Sequence, residues 1–398
     1  MFSAHLRNKA FFNSLRVGLA FLPVAIFVSM FEFALPLGIE EIGNDVTLVG
    51  LFIGIAWIIV TILDLLSGDL ADIIGKKRGT LLGLTLFMIF TFLFGLTTNI
   101  WILFFLMIFA YIGYDFFYIA VQGFVVSTSP KKYFNFAAEG FYPLWDFGFI
   151  FGPLLGAFLI TSFGQNSIYF TSLIFCGIAL IFGLFLPKPT KSNKKGIIEK
   201  KVSLHEFFVY LNYLFKKDFW LLLGSMSCAF WYMLMIIAIP LFFIVSEGDI
   251  WLSAFILTAF MIPIFLTDII VNYVASSRNK RFILVCLGYT LAGVSLIAFF
   301  ISNDNLVMAI CAALSTFGFQ TVWATFDIEA GLLAKKGKEA MTESAFFFSK
   351  NLGFDFAPFF FAIVVAFLGI KAPFVVFGLI SLLFAVVFLL KHKQIVFK

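Results

Sequence analysis

Charge is scarce in this sequence: Asp, Glu, Lys and Arg make up 12% of 398 residues, while 62% are hydrophobic. A water-soluble domain carries about a quarter charged residues and cannot hide this much apolar side chain, so an ordinary soluble protein is excluded. Cysteine is scarce too. Cys176, Cys228, Cys286 and Cys311 each sit inside an apolar run with neither CxxC spacing nor clustered His, so they read as small buried hydrophobes, and no disulfide framework or metal site is implied. With 11 Pro and 30 Gly, collagen-like and low-complexity classes fall as well. No phosphate-binding loop or paired nucleophile and base is visible, so an enzyme is not expected.

Phenylalanine is abundant, with 60 residues. A bilayer core about 30 Å thick needs about 20 apolar residues of helix, and runs of that length recur along the chain. Twelve spans are expected, near residues 14–37, 47–67, 80–98, 101–127, 136–162, 168–187, 219–245, 251–275, 282–301, 306–333, 341–367 and 373–390. The runs are too long and continuous for the alternating strands of a β-barrel. The first is too long for a cleaved signal peptide and is kept as a helix. Of the 27 Lys and Arg, all but Lys371 and Lys350 fall in the termini, the even-numbered loops and the central linker, so they share one face. The positive-inside rule makes that face cytoplasmic, with both termini there. The net charge of +5 thus describes topology, and no nucleic-acid partner is expected.

The long polar segment 188–218 separates an N-terminal six-helix bundle, 1–187, from a C-terminal one, 219–398. An offset of about 204 residues lays Pro36 on Pro240 and Asp64 on Asp268. One residue more lays Gly113 on Gly318, Asp115 on Gln320, Gln122 on Asp327, Asp146 on Asn351, Gly148 on Gly353 and Pro153 on Pro358. The halves therefore read as parallel repeats related by an axis along the membrane normal. Within the linker, Val202 to Phe215 has apolar residues at helical spacing opposite His205, Glu206 and Asn212, the pattern of an amphipathic helix on the membrane surface.

Between the second and third spans stands Gly68-Asp69-Leu70-Ala71-Asp72-Ile73-Ile74-Gly75-Lys76-Lys77-Arg78-Gly79. It closely resembles the loop signature of the major facilitator superfamily, in the location where that family carries it. With twelve spans, two repeats and a basic linker, the resemblance covers the whole chain. It implies an all-α membrane protein of twelve helices in two pseudo-symmetric bundles that transports by alternating access. It also implies a gating role for Gly68, Asp72, Gly75, Lys76, Lys77 and Arg78, with Asp72 meeting the start of the eleventh span around Thr342 to Ser344. Here Ile73 replaces the usual basic residue, and the second-half counterpart, Ser276 to Arg281, keeps the basic charges but loses the Asp and Gly. In the fifth span, Gly148, Gly152, Pro153 and Gly156 resemble a Gly-Pro signature of antiporters in the superfamily; helix packing explains the same residues. The fourth span lacks the Arg of the proton-coupled drug-exporter pattern.

Five carboxyls lie deep within the spans: Glu32, Asp115, Asp146, Asp327 and Asp355. Facing lipid at mid-bilayer, each would cost about 2.5–3.5 kcal/mol, so cavities or partners are expected around them. Asp64, Glu139, Asp268, Glu329 and Glu343 fall nearer the cytoplasmic boundary, within reach of water. Lys350 is the one deep cation; its spacing from Asp355 turns the two apart, and Asp327 on another span lies at comparable depth. The resemblance places the first, fourth, seventh and tenth spans around a central cavity, and Glu32, Asp115, Gln122, Gln320 and Asp327 fall on them. Together with Asp146, Lys350, Asn351 and Asp355 they are the candidate proton-coupling and substrate residues. Tyr111, Tyr114, Tyr118 and Trp323 are expected as an aromatic cavity wall.

The surplus of acid favours proton coupling and cationic or lipophilic substrates, hence a proton-driven exporter. The alternatives are a proton-coupled uptake symporter for a small polar nutrient or lipid-related compound, and a non-transporting sensor with the same fold. The expected energy source is a proton gradient, with no cofactor. The expected partners are a small-molecule substrate and membrane lipids, and the expected setting is a functional monomer in a prokaryotic plasma membrane.

Overall fold

The computed structural model describes residues 2–127, 134–186, 204–333 and 339–390. Their regular structure is helical throughout: α1 (Phe2–Gly43), α2 (Val46–Ile74), α3 (Lys76–Phe94), α4 (Ile100–Ser127), α5 (Phe134–Phe163), α6 (Asn166–Phe185), α7 (Leu204–Lys217), α8 (Phe219–Glu247), α9 (Ile250–Val274), α10 (Arg278–Ile301), α11 (Asn305–Leu333), α12 (Glu339–Leu368) and α13 (Ala372–Leu390). All except α7 are long and apolar enough to cross a membrane, which gives twelve spans among the described residues.

The breaks between helices follow local chemistry. Gly75 takes φ 95°, a conformation closed to residues with a Cβ, and so separates α2 from α3. Asn44, at φ 50°, ends α1, and Gly248, in the left-handed conformation, ends α8. Asp249 and Ser277 cap α9 and α10 by accepting the backbone N–H of Leu252 and Lys280. Helix α1 runs well past both ends of its apolar stretch, because loss of hydrophobicity alone does not terminate a helix. Lys371, on the face opposite the basic loops, donates to the carbonyl of Ser302 at 2.7 Å. Burial holds its amine below the usual lysine range, with the charge of Glu247 opposing that shift.

The chain divides into two compact units within the linker, and the first turns of α2, Val46–Gly54, belong to the second unit. In unit 1, α1 lies along α5, α3 along α4, and α6 against both α1 and α3. In unit 2, α8 lies along α12, α10 along α11, and α13 against α10. The same pairing pattern in the two units is the repeat expressed as packing. At its centre are matched glycine contacts. A Cβ on Gly113 would lie 2.6 Å from the backbone N of Phe87, and one on Gly83 2.8 Å from the Gly113 carbonyl. In unit 2, a Cβ on Gly288 would lie 2.6 Å from the Gly318 carbonyl, and one on Gly318 2.5 Å from that of Gly288. Only a hydrogen in place of a side chain permits backbones this close.

Gly148, Gly152 and Gly156 have the same task along α1, where Ala25, Ser29 and Phe33 meet them in turn. Pro153 has no N–H to give the carbonyl of Phe149 four residues before it. The Ser29 hydroxyl donates to that carbonyl instead, at 2.8 Å. The glycines of the antiporter-like signature are thus engaged in helix packing. The corresponding contact in unit 2 is Gly353 against α8, reinforced by the Ser349 hydroxyl donating to the carbonyl of Leu222 at 2.7 Å.

Candidate functional site

In unit 1 the polar residues line up along α4. Tyr111 lies within electrostatic reach of both Glu32 and Asp115, and Tyr118, two turns further along, within reach of both Asp115 and Asp146. Gln122 is hydrogen-bonded to Tyr118. Three of the expected carboxyls are therefore interleaved with two phenols. Spacing explains the order: Tyr111, Asp115, Tyr118 and Gln122 recur every three or four residues and so occupy one helix face, with α1 supplying Glu32 and α5 supplying Asp146. The Glu32 Oε2 atom is buried with no hydrogen-bond partner. A buried acceptor left open is costly, because its desolvation is not repaid.

Of the residues expected as an aromatic cavity wall, Tyr111 and Tyr114 are buried within unit 1. Tyr111 packs against Phe31 and Trp57, with ring centroids 5.9 and 4.6 Å away, and Tyr114 against Phe87 at 5.4 Å. Their face of α4 is the one turned to α1 and α3. Tyr118 stacks on Tyr114 and reaches Trp145 at 5.4 Å while keeping partial exposure. Trp57 was not among the expected residues. Its signal was available as an indole two spans before the Tyr111 stripe, but no periodicity links residues on different helices.

In unit 2, Lys350 of α12 and Asp327 of α11 form an ion pair of 2.5 Å. The ammonium also lies 4.5 Å from the centroid of the Trp323 ring, one turn from Asp327 on the same helix. The lysine side chain is 12% exposed and the carboxylate 48%, so the pair has one anchored end and one open end. Phe354 and Tyr232 continue the aromatic surface, at 6.3 Å from Trp323 and 6.1 Å from Phe354 respectively. Gln320 is buried, Asn351 partly buried, and Asp355 buried without joining Lys350.

A second ion pair in unit 2 was missed. Arg281, at the start of α10, donates from Nε to the Glu329 carboxylate of α11 and from Nη1 to the carbonyl of Ala275. Both side chains are out of water, at 6% and 0% exposure, which corrects the expectation that Glu329 sits within reach of water. The clue lay in the repeat. Arg281 stands where Lys77 stands in the first half, and Lys77 is likewise committed to a helix end, donating to the carbonyls of Leu184 and Leu186 at the close of α6.

Of the gating motif, Gly75 forms the turn described above, Lys76 borders Gly123, and Arg78 is exposed. The surroundings of Gly68 and the side chain of Asp72, together with the expected contact of Asp72, lie outside what the structure describes. Among the described residues no group of three or more His, Cys, Asp or Glu could hold a metal ion.

Two bundles of paired helices with the same internal packing, each holding intramembrane charged residues, define a polytopic membrane protein built from two repeats. The sequence profile of the Major Facilitator Superfamily matches residues 17–328, and the chain belongs to that superfamily. That membership makes it a transporter rather than an enzyme. Its fold is similar to a bacterial homolog of the human lysosomal transporter Spinster, with a TM-score of 0.76 at 15% identity, covering 97% of this chain and 98% of that one. It is also similar to the nucleoside transporter NupG, with a TM-score of 0.72 at 14% identity over 96% of this chain and 99% of that one. A D-xylose-proton symporter matches at 0.74 and 13% identity, over 96% and 97%. At these identities the likeness concerns the fold. No curated protein matches the sequence.

Proposed function

We propose that the chain is a proton-coupled secondary transporter of a small molecule, with Glu32 and Asp115 carrying the proton. One observation supports this best: Glu32, Asp115 and Asp146 are interleaved with Tyr111 and Tyr118, and one oxygen of Glu32 has no partner. Carboxyls and phenols in such a row can each give and accept a proton. In the sequence the spans carry five deep carboxyls against one deep lysine, a surplus of acid. That surplus favours cationic or lipophilic substrates and outward exchange against protons. The basic-loop pattern supports cytoplasmic termini, and we propose a prokaryotic plasma membrane as the setting and a monomer as the working unit.

The test is transport in proteoliposomes under an imposed pH gradient. Substrate flux should collapse with an uncoupler, and Asp115→Asn and Glu32→Gln should keep equilibrium exchange while losing accumulation. Accumulation unchanged in both variants would overturn the assignment of the proton. A gradient that drives uptake rather than efflux would make the protein a symporter, and binding without counterflow would make it a sensor.

A further inference from the structure

Helix α7 does not fill a gap in unit 2; it leaves much of its surface uncovered. Tyr210, Leu214 and the following Asp218 form a buried stripe at helical spacing. The Tyr210 hydroxyl shares a hydrogen bond of 2.8 Å with the Thr342 hydroxyl at the start of α12. The rest of the helix has two exposed flanks, the second of which mixes Val209 and Tyr213 with polar residues. Phe208 and Phe215, two turns apart on one flank with Leu211 between them, are a half-exposed apolar edge. On the other flank Asn212, Lys216 and Lys217 are exposed, with Lys217 lying 5.9 Å from the Tyr213 ring.

The apolar edge is continuous with a membrane span. Phe215 contacts Phe219, the first residue of α8, at 5.0 Å, and Phe219 contacts Trp220 at 5.2 Å. Only Asp218 separates α7 from that span. Aromatic side chains at the foot of a span lie at the headgroup level, so the edge of α7 enters the same layer. Two lysines stand at that end of the helix, and the neighbouring linker carries Lys194, Lys195, Lys200 and Lys201. Apolar side chains in the acyl boundary beside basic groups among headgroups describe an interfacial helix on a negatively charged leaflet.

We propose that α7 is a docking surface for anionic phospholipid, with Phe208, Leu211 and Phe215 in the acyl boundary and Lys216 and Lys217 on the phosphates. Through Tyr210 and Thr342, lipid held there braces the start of α12, the helix that carries Lys350, Asn351 and Asp355. Each lysine near an anionic surface contributes about fivefold in affinity, so the pair sets roughly a 25-fold preference over neutral lipid.

The test uses the full-length protein in phosphatidylcholine vesicles with and without phosphatidylglycerol. Nitroxide labels at Phe215→Cys and Val209→Cys report collisions with oxygen and with a water-soluble nickel chelate; the four native cysteines are buried, which leaves the new thiol selectively reactive. Label 215 should favour oxygen and label 209 the chelate, and phosphatidylglycerol should deepen label 215. Lys216→Gln with Lys217→Gln should remove the dependence on phosphatidylglycerol and lower its retention by about 25-fold. Tyr210→Phe should keep lipid retention and lose the lipid-induced slowing of hydrogen exchange between Thr342 and Lys350. A label 215 open to water in both lipids, or equal lipid preference in the double-lysine variant, would overturn the proposal. So would a label 215 shielded only on adding a soluble protein. If Phe215→Cys does not fold, the lipid preference of the double-lysine variant alone decides.

Discussion

The Ser29 hydroxyl takes up the carbonyl of Phe149 that Pro153 leaves without a partner. The same residue meets Gly152, whose Cβ, if present, would fall 2.3 Å from that of Ser29. One serine therefore repairs the break in α5 and sets its distance from α1.

Ser29→Ala removes the donor and leaves a buried carbonyl open, at a cost of about 1–3 kcal/mol. Ser29→Thr should restore the donor but crowd Gly152. Thermal unfolding of the purified protein checks both: alanine lowers the midpoint, and threonine does not fully rescue it.

Arg281 and Glu329 are a buried pair, and losing one member strands the other. Arg281→Met should destabilise unit 2 by about 3–5 kcal/mol, whereas Arg281→Met combined with Glu329→Leu should recover most of that, because apolar replacements need no partner. A double-mutant cycle on unfolding midpoints measures the difference. A double variant no more stable than the single one would show that packing, not charge, is lost.

Lys350 and Asp327 should behave oppositely, despite lying deeper in the sequence pattern. Asp327→Asn keeps a neutral acceptor for the ammonium and should therefore cost less than loss of the Arg281 pair. Trp323→Leu should add a further loss of about 0.5–2 kcal/mol, since the ring holds the ammonium. The same unfolding series ranks the two pairs, with the Arg281 pair expected to dominate.

Span count, the paired halves and the amphipathic α7 were legible in the sequence. Hydropathy over about 20 residues and helical periodicity are properties of a short stretch and survive without tertiary information. The Tyr111, Asp115, Tyr118 and Gln122 face was legible for the same reason. Partners on other helices were legible only where depth narrowed the choice. Lys350 and Asp327 were matched in that way, but Arg281 and Glu329 were not, since each alone looked like a residue at the water boundary.

Composition and hydropathy were enough to establish the solvent and the number of crossings, because a bilayer imposes length and polarity on each segment independently, and the Gly68 to Gly79 motif carried the superfamily resemblance. Which side of each helix faces its neighbours was decided by packing. Close approach at Gly83, Gly113, Gly288 and Gly318 turns particular faces inward, which buried Tyr111 and Tyr114, paired Arg281 with Glu329, and left Asp327 half open. A helix face becomes wall, core or lipid contact only once another helix lies against it, and that contact is not encoded within any one segment.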